Sequence, residues 1–264
     1  MRQFGKIGYG MTLNLRRRLR EQEPLLAAFS IIPSREIVEL IALAGFDAVI
    51  LDMEHGPYGI DSLGPLVLAA QARNIYPIAR VQRNDPSLIG AALDVGAAGV
   101  LVPQVASASE ALAAVNAARF APAGTRGANP WVRAADFSGR SSWFGDANDE
   151  AAVIVMIEGR EGAAAADRIL ETPSLDGVFL GPVDLSHALG VPGQIDHPLV
   201  VERIEAIVGK AQKLSLATAI FTPTPDGARK WLQRRVKLVA VGVDAGHVLA
   251  ALQSVNAASR AVAP

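Results

Sequence analysis

Eight times in succession the chain alternates a short unbroken apolar run with a longer stretch of helix-forming composition. The runs are L-L-A-A-F-S (25–30), F-D-A-V-I-L (46–51), I-Y-P-I-A-R (75–80), G-V-L-V-P (99–103), A-A-V-I-V-M-I (151–157), G-V-F-L (177–180), A-T-A-I-F (217–221) and L-V-A-V-G (238–242). They lack the polar alternation of a half-exposed strand, so they read as strands covered on both faces, as in a parallel sheet flanked by helices. Each strand–helix–strand step then takes a right-handed crossover. Ser34 stands where an N-cap belongs and Gly45 closes the helix behind it, while Pro86 fits a first turn and Gly96 an end. Eight such units in roughly 250 residues predict a single α/β domain, a closed (β/α)8 barrel of the TIM type. The runner-up, a doubly wound open sheet, lacks a G-x-G-x-x-G after its first strand, and there is no Walker loop. Residues 1–24 read as an N-terminal extension and 25–264 as the barrel. Within the extension, 1–10 show no pattern and are expected to be poorly ordered. Asn14 to Glu23 reads as a short charged helix capping one end of the fold, ended by Pro24.

Half of the 264 residues are apolar, enough for one large core. Without cysteine there are no disulfides, thiolate metal sites or cysteine nucleophiles. A formal charge of −1 argues against nucleic acid or an anionic membrane as partner. No apolar run reaches the ~18–20 residues that span a bilayer. Arg16, Arg17, Arg18 and Arg20 are not followed by the long apolar segment of a signal peptide, so the expected location is the cytoplasm. The rhythm fails once, in 120–150, which is rich in Gly, Pro, Ser and Asn and carries Trp131, Phe137, Trp143 and Phe144. A segment this long without periodicity is usually functional or partly disordered.

In such a barrel the residues just after each strand share one rim, where ligands bind. Glu158 and Asp184 follow the fifth and sixth runs, on neighbouring strands. Two hard oxygen donors suit a divalent ion such as Mg²⁺ or Mn²⁺ that keeps several waters. Arg80 ends the third run; Asp52, Glu54 and His55 follow the second, and Asp244 the eighth. His55 is the only one of four histidines directly behind a predicted strand. Together these residues suit enolate chemistry: an ion chelating a 2-oxo acid polarises it as a C3 bond breaks. Arg80 adds positive charge at the oxyanion, His55 serves as general base, and Asp52 orients His55. Each has a structural alternative. Glu158 and Asp184 can be solvated loop acids, His55 a surface residue, Arg80 half of an ion pair at the barrel mouth, and Asp52 and Asp244 helix caps.

The motifs L-D-M-E-H-G-P, A-R-V-Q-R-N-D-P, A-L-D-V-G-A-A-G-V-L-V-P, P-A-G-T-R-G, I-E-G-R-E and G-P-V-D-L-S occur in order from about Leu25 onward. In this sequence and spacing they resemble the HpcH/HpaI aldolase family. The resemblance implies a class II pyruvate aldolase dependent on Mg²⁺, Mn²⁺ or Co²⁺. By motif position Glu158 and Asp184 match its metal ligands, Arg80 the arginine that stabilises the pyruvate enolate, and His55 the catalytic histidine. Asp52 and Asp94 match acids associated with that histidine, and Gly181, Pro182 and Val183 fall in the stretch implied to bind substrate. Asp94 lies in a predicted helix, so it would reach a site from a neighbouring subunit; the resemblance implies a homohexamer that exchanges its last helix. There are departures. Met156 stands where relatives often carry glutamine, and A-N-P-W-V-R follows Arg126-Gly127, so Pro130 and Trp131 are expected to reshape the pocket.

The expected activity is reversible cleavage of a 4-hydroxy-2-oxo acid to pyruvate or hydroxypyruvate and an aldehyde. No lysine follows a predicted strand to form a Schiff base. The alternatives are cleavage of a 2-keto-3-deoxy sugar acid, an acyl-CoA lyase, and a non-catalytic barrel that binds a metal or an oxo acid. An acyl-CoA would need a basic groove, for which Arg126, Arg133 and Arg140 are the candidates.

Overall fold

The computed structural model describes residues 13–21 and 23–261; the segment 1–10, expected to lack order, lies outside them. Eight parallel strands close into a barrel in chain order. They are β1 (Leu25–Ser30), β2 (Ala48–Asp52), β3 (Tyr76–Arg80), β4 (Gly99–Val102), β5 (Ala152–Ile157), β6 (Gly177–Leu180), β7 (Ala217–Thr222) and β8 (Leu238–Val243). Each lies on the run that predicted it.

Successive residues of a strand point to opposite faces, so every strand feeds two layers. On β2, Ala48 and Ile50 face the barrel interior, while Val49 and Leu51 face the helices. Phe29, Ile78, Leu101, Ile154, Met156, Phe179 and Leu238 fill the interior with them. Phe179 and Phe221 meet Phe29 edge-on at 5.8 and 5.9 Å; such pairs contribute about 0.5–1.5 kcal/mol beyond their buried area. The outer layer packs the other strand faces against helices through residues such as Val38, Leu66, Ile89, Ile204 and Trp231. Side-chain caps start those helices: Ser34 accepts from the Ile37 N–H, Asp85 from Ser87 and Leu88, and Ser107 from Glu110.

The N-terminal helix is Leu15–Arg18, shorter than the predicted 14–23. Lys237 takes the carbonyl oxygens of Glu21 and Glu23, and Arg18 takes that of Glu23 as well. These bonds draw the backbone out of helical geometry. Leu15, fully buried, joins Leu19 and Leu25 in the inner layer at the entry end of the strands. The predicted helix 161–170 is split at Ala165 into Arg160–Ala164 and Ala166–Leu170.

The irregular segment carries a 3-10 turn, Arg133–Ala135, and a helix, Trp143–Glu150. Phe120 packs on Trp143 and Phe144 at 5.3 and 4.8 Å, with the Arg126 guanidinium 4.4 Å from the Phe120 ring centre. It joins the helix Ala108–Ala118 to β5 and so lies at the N-terminal ends of the strands, opposite the ligand-binding rim. Pro130 and Trp131 therefore do not border this chain's own rim, contrary to expectation; a connection from helix to strand belongs to the other end of the barrel.

Candidate active site

The alternation that buries Ile50 and Ile78 inside the barrel carries Asp52 and Arg80 to the same face at the strand ends. Arg80 Nε donates to Asp52 Oδ1 at 2.7 Å and Nη2 donates to Oδ2, while Nη1 lies 3.1 Å from Glu54 Oε2. The guanidinium carbon sits 4.8 Å from the Phe29 ring centre, and only 8% of the residue is exposed. Burial works against the charge, but Asp52, with Glu54 and Glu158 nearby, outweighs it and holds the Arg80 pKa above its ordinary value.

Asp52 Oδ1 also accepts the N–H groups of Glu54 and His55, at 3.0 and 3.2 Å. Those bonds fold 53–55 into a turn. Gly56 is needed to complete it, since a Cβ there would stand 2.1 Å from the Asp52 carbonyl oxygen. Farther along, the Tyr58 hydroxyl donates to the Ser30 carbonyl at 2.7 Å and ties the loop to β1. The His55 imidazole is 67% exposed, and its Nε2 stands 4.0 Å from Glu54 Oε2. Asp52, expected to orient this ring, makes no hydrogen bond to it among the described residues; its oxygens accept from Arg80 and from the Glu54 and His55 N–H groups.

Glu158 continues the inward row of Ile154 and Met156 on β5 and is 5% exposed. Its Oε1 accepts the Gln104 N–H at 2.8 Å, and the Gln104 side chain donates to Glu54 Oε1 at 2.9 Å. Burial, reinforced by the negative charges of Glu54 and Asp184, pushes the Glu158 carboxyl up to about 7, despite the Gln104 N–H and Arg80. Asp184 is exposed, in the first turn of the helix Pro182–Ala188 that leaves β6, the neighbour of β5. Gly181 gives the Glu158 side chain room: a Cβ there would lie 2.8 Å from Oε2. Pro182 is buried and Val183 exposed beside it.

This arrangement fits a divalent ion. Burial, with the negative charges of Glu54 and Asp184 beside it, disfavours the ionised form of Glu158, and a bound cation would offset that cost. Among the described residues no three His, Asp or Glu side chains converge as a ligand cage. An ion held by two carboxylates keeps several waters, the habit of Mg²⁺ and Mn²⁺.

The profile of the HpcH/HpaI aldolase/citrate lyase family matches residues 27–251. The chain belongs to this family. It is 35% identical over 231 residues to a pyruvate aldolase of Rhizobium etli, covering 88% of this chain and 91% of that protein. It is 35% identical over 235 residues to a 5-keto-4-deoxy-D-glucarate aldolase of Salmonella paratyphi C, with 89% and 92% covered. The crystal structure of an HpcH/HpaI family protein from Burkholderia cenocepacia J2315 superposes with a TM-score of 0.90 at 32% identity, covering 95% of this chain and all of that one. The protein is thus a carbon–carbon lyase of the HpcH/HpaI family.

Two predicted residues of this HpcH/HpaI chain stand apart from the cluster. The helix Pro86–Asp94 runs away from the rim, so Asp94 ends at the opposite face, 2.5 Å from Arg126 Nη2. Asp244 accepts the Ser30 hydroxyl at 2.9 Å and the N–H groups of Ile31 and Ile32 at 3.1 and 3.0 Å, joining β8 to the exit of β1. Two residues of the cluster have no role that the sequence reveals: Glu54, on the predicted rim, and Gln104, whose one signal is that it follows the fourth run. No helix among the described residues is long and apolar enough to cross a membrane.

Proposed function

We propose that this HpcH/HpaI lyase is a divalent-metal-dependent aldolase that cleaves a 4-hydroxy-2-oxo acid to pyruvate or hydroxypyruvate and an aldehyde. The observation that carries it is the meeting of buried Arg80 with Glu158 and Asp184 on one rim. Glu158 and Asp184 would hold Mg²⁺, Mn²⁺ or Co²⁺, which when bound supplies Lewis-acid polarisation of the 2-oxo group. Arg80, fixed by Asp52 and backed by Phe29, stabilises the negative charge that develops on the C2 oxygen. The N–H groups of Val183 and Asp184, in a first helical turn, lack intrahelical partners and receive the substrate carboxylate beside Gly181 and Pro182. His55 takes the proton of the C4 hydroxyl, and the electrons of the C3–C4 bond pass toward the C2 oxygen. The same imidazole returns a proton to C3.

A Schiff-base route has no support. Among the described residues Lys210, Lys213 and Lys230 lie on helices and Lys237 precedes β8. An acyl-CoA route is disfavoured as well: Arg126 lies against Phe120, and Arg133 is bonded to Gln71 on the same remote end. Within the aldolase reading, a 2-keto-3-deoxy sugar acid is a second substrate class, favoured by the likeness to the glucarate-derived aldolase.

We extend the proposal to a cytoplasmic homohexamer. The helix Asp244–Arg260 exposes Leu249, Leu252 and Val255, each more than half bare, as a helix exchanged between subunits would. Asp94 would then approach a neighbouring rim as the acid of a preformed pair with Arg126.

The test is to strip metal from the protein and follow the methyl proton signal of pyruvate in deuterated water, before and after restoring Mg²⁺, Mn²⁺ or Co²⁺. Metal-dependent loss of the signal is expected. No exchange with any of the three ions would rule the proposal out.

A further inference from the structure

Gln104 follows β4 and touches both halves of the rim cluster. Its main-chain N–H donates to Glu158 Oε1 at 2.8 Å, and its side-chain amide donates to Glu54 Oε1 at 2.9 Å. Glu54 in turn pairs with Arg80 at 3.1 Å. Gln104 does this from a left-handed backbone, φ 56°, a conformation that a Cβ makes unfavourable. Strain of this kind persists only where the surrounding structure over-determines it, and it clusters at working sites.

The surroundings here are built to hold it. The Val105 N–H donates to the Met156 carbonyl at 3.1 Å, which carries the pairing of β4 with β5 past the end of β4. The Ala106 N–H donates to Glu110 Oε2 at 2.7 Å, in the first turn of the helix Ala108–Ala118. Gly162 lets this stretch sit flush on the helix behind β5, since a Cβ there would stand 2.5 Å from the Val105 carbonyl oxygen. With 105 and 106 fixed, residue 104 keeps its N–H aimed at Glu158. The second oxygen of that carboxylate is differently placed. Glu158 Oε2 accepts no hydrogen bond among the described residues and lies against Gly181, just ahead of Asp184.

We infer that Gln104 is a positioning residue for the metal ligand Glu158: its main-chain N–H occupies Oε1, so that Glu158 offers Oε2 alone to an ion shared with Asp184. The inference rests on the metal assignment of the aldolase reading and deepens it. One oxygen from Glu158 leaves more of the ion's positions for water and for the two oxygens of an oxo acid. The strained backbone, not the Gln104 side chain, carries the effect.

The experiment titrates Mn²⁺ by calorimetry into metal-stripped wild type, Glu158→Gln, Gln104→Gly and Gln104→Val, with a thermal melt of each metal-free protein as the check on folding. Glycine suits φ 56° and keeps the N–H while removing the carboxamide. Valine opposes that conformation through its branched Cβ and draws the N–H away. Gln104→Gly is expected to bind Mn²⁺ as wild type does, and Gln104→Val about tenfold more weakly or worse. Loss of affinity in Gln104→Gly would overturn the proposal, because the side chain would then be the part that matters. So would wild-type affinity in Gln104→Val. A crystal structure of the wild type with Mn²⁺ decides the point even if Gln104→Val fails to fold. Oε2 on the ion with Oε1 kept on the Gln104 N–H is expected, and both oxygens on the ion would overturn it. A wild type that binds no Mn²⁺, or a Glu158→Gln that binds it equally well, removes the metal assignment and this inference with it. Binding that needs Glu158 but is the same in Gln104→Val removes the inference alone.

Discussion

Asp52 and Arg80 are register partners on β2 and β3, and their side chains meet in a two-armed ion pair on the inner face of the barrel. Parallel pairing sets the two side chains next to each other at the strand ends, and the planar guanidinium matches both carboxylate oxygens. The pair does more than neutralise charge. It holds Arg80 rigid, and the same carboxylate folds the loop that carries Glu54 and His55.

Replacing that arginine separates the electrostatic part from the structural one. Arg80→Ala is expected to lower the cleavage rate by about 10²–10³, the usual effect of losing an oxyanion donor. It also leaves Asp52 buried without a counter-charge, a loss of about 3–5 kcal/mol visible as a lower Tm. Arg80→Lys restores charge but not the fork, so rate should recover only in part. Steady-state kinetics and thermal melts on the three proteins check this.

The raised carboxyl of Glu158 makes metal binding depend on pH. An ion must displace the proton from a group that titrates at about 7 in the metal-free protein. Affinity is expected to fall about tenfold for each pH unit below that value. Isothermal titration of Mn²⁺ from pH 5.5 to 8 measures it, and a flat profile would contradict the assignment.

The same group shapes stability without metal. Its folded pKa, about 7, lies above the ordinary 4.5, so the folded state binds the proton more tightly. The stabilisation is complete below about pH 4.5 and is lost as pH rises through 7, a contribution of about 3 kcal/mol. Comparing metal-free Glu158→Gln with wild type, the difference in Tm should change between pH 5 and 8 in this sense.

Gly181→Ala places a methyl 2.8 Å from Glu158 Oε2 and 2.9 Å from its Cβ. The carboxylate must move while the strands stay put. Mn²⁺ affinity is expected to drop about tenfold or more, with Tm nearly unchanged. An unaltered affinity would mean that Glu158 has room elsewhere.

Leu15→Ala tests the plug at the other end. Leu15 is fully buried in the inner layer and remote from the rim. The truncation is expected to cost about 2–5 kcal/mol in denaturant unfolding and leave kcat and KM unchanged.

The barrel was legible in the sequence because its signal is local. Eight unalternating apolar runs separated by capped helices admit few arrangements, and the runs coincide with β1 to β8. The rim positions of Asp52, Arg80, Glu158 and Asp184 followed from the rule that a strand's exit faces the ligand. Partnership was another matter. That Asp52 is committed to Arg80, that Gln104 joins Glu54 to Glu158, and that the Trp131 segment stands at the far end all depend on residues distant in the chain. Sequence periodicity determines which face a side chain takes, because that depends only on backbone geometry at neighbouring residues. The closure of the barrel decides what the side chain meets there, because burial, strand register and loop direction set those contacts only once all eight strands are in place.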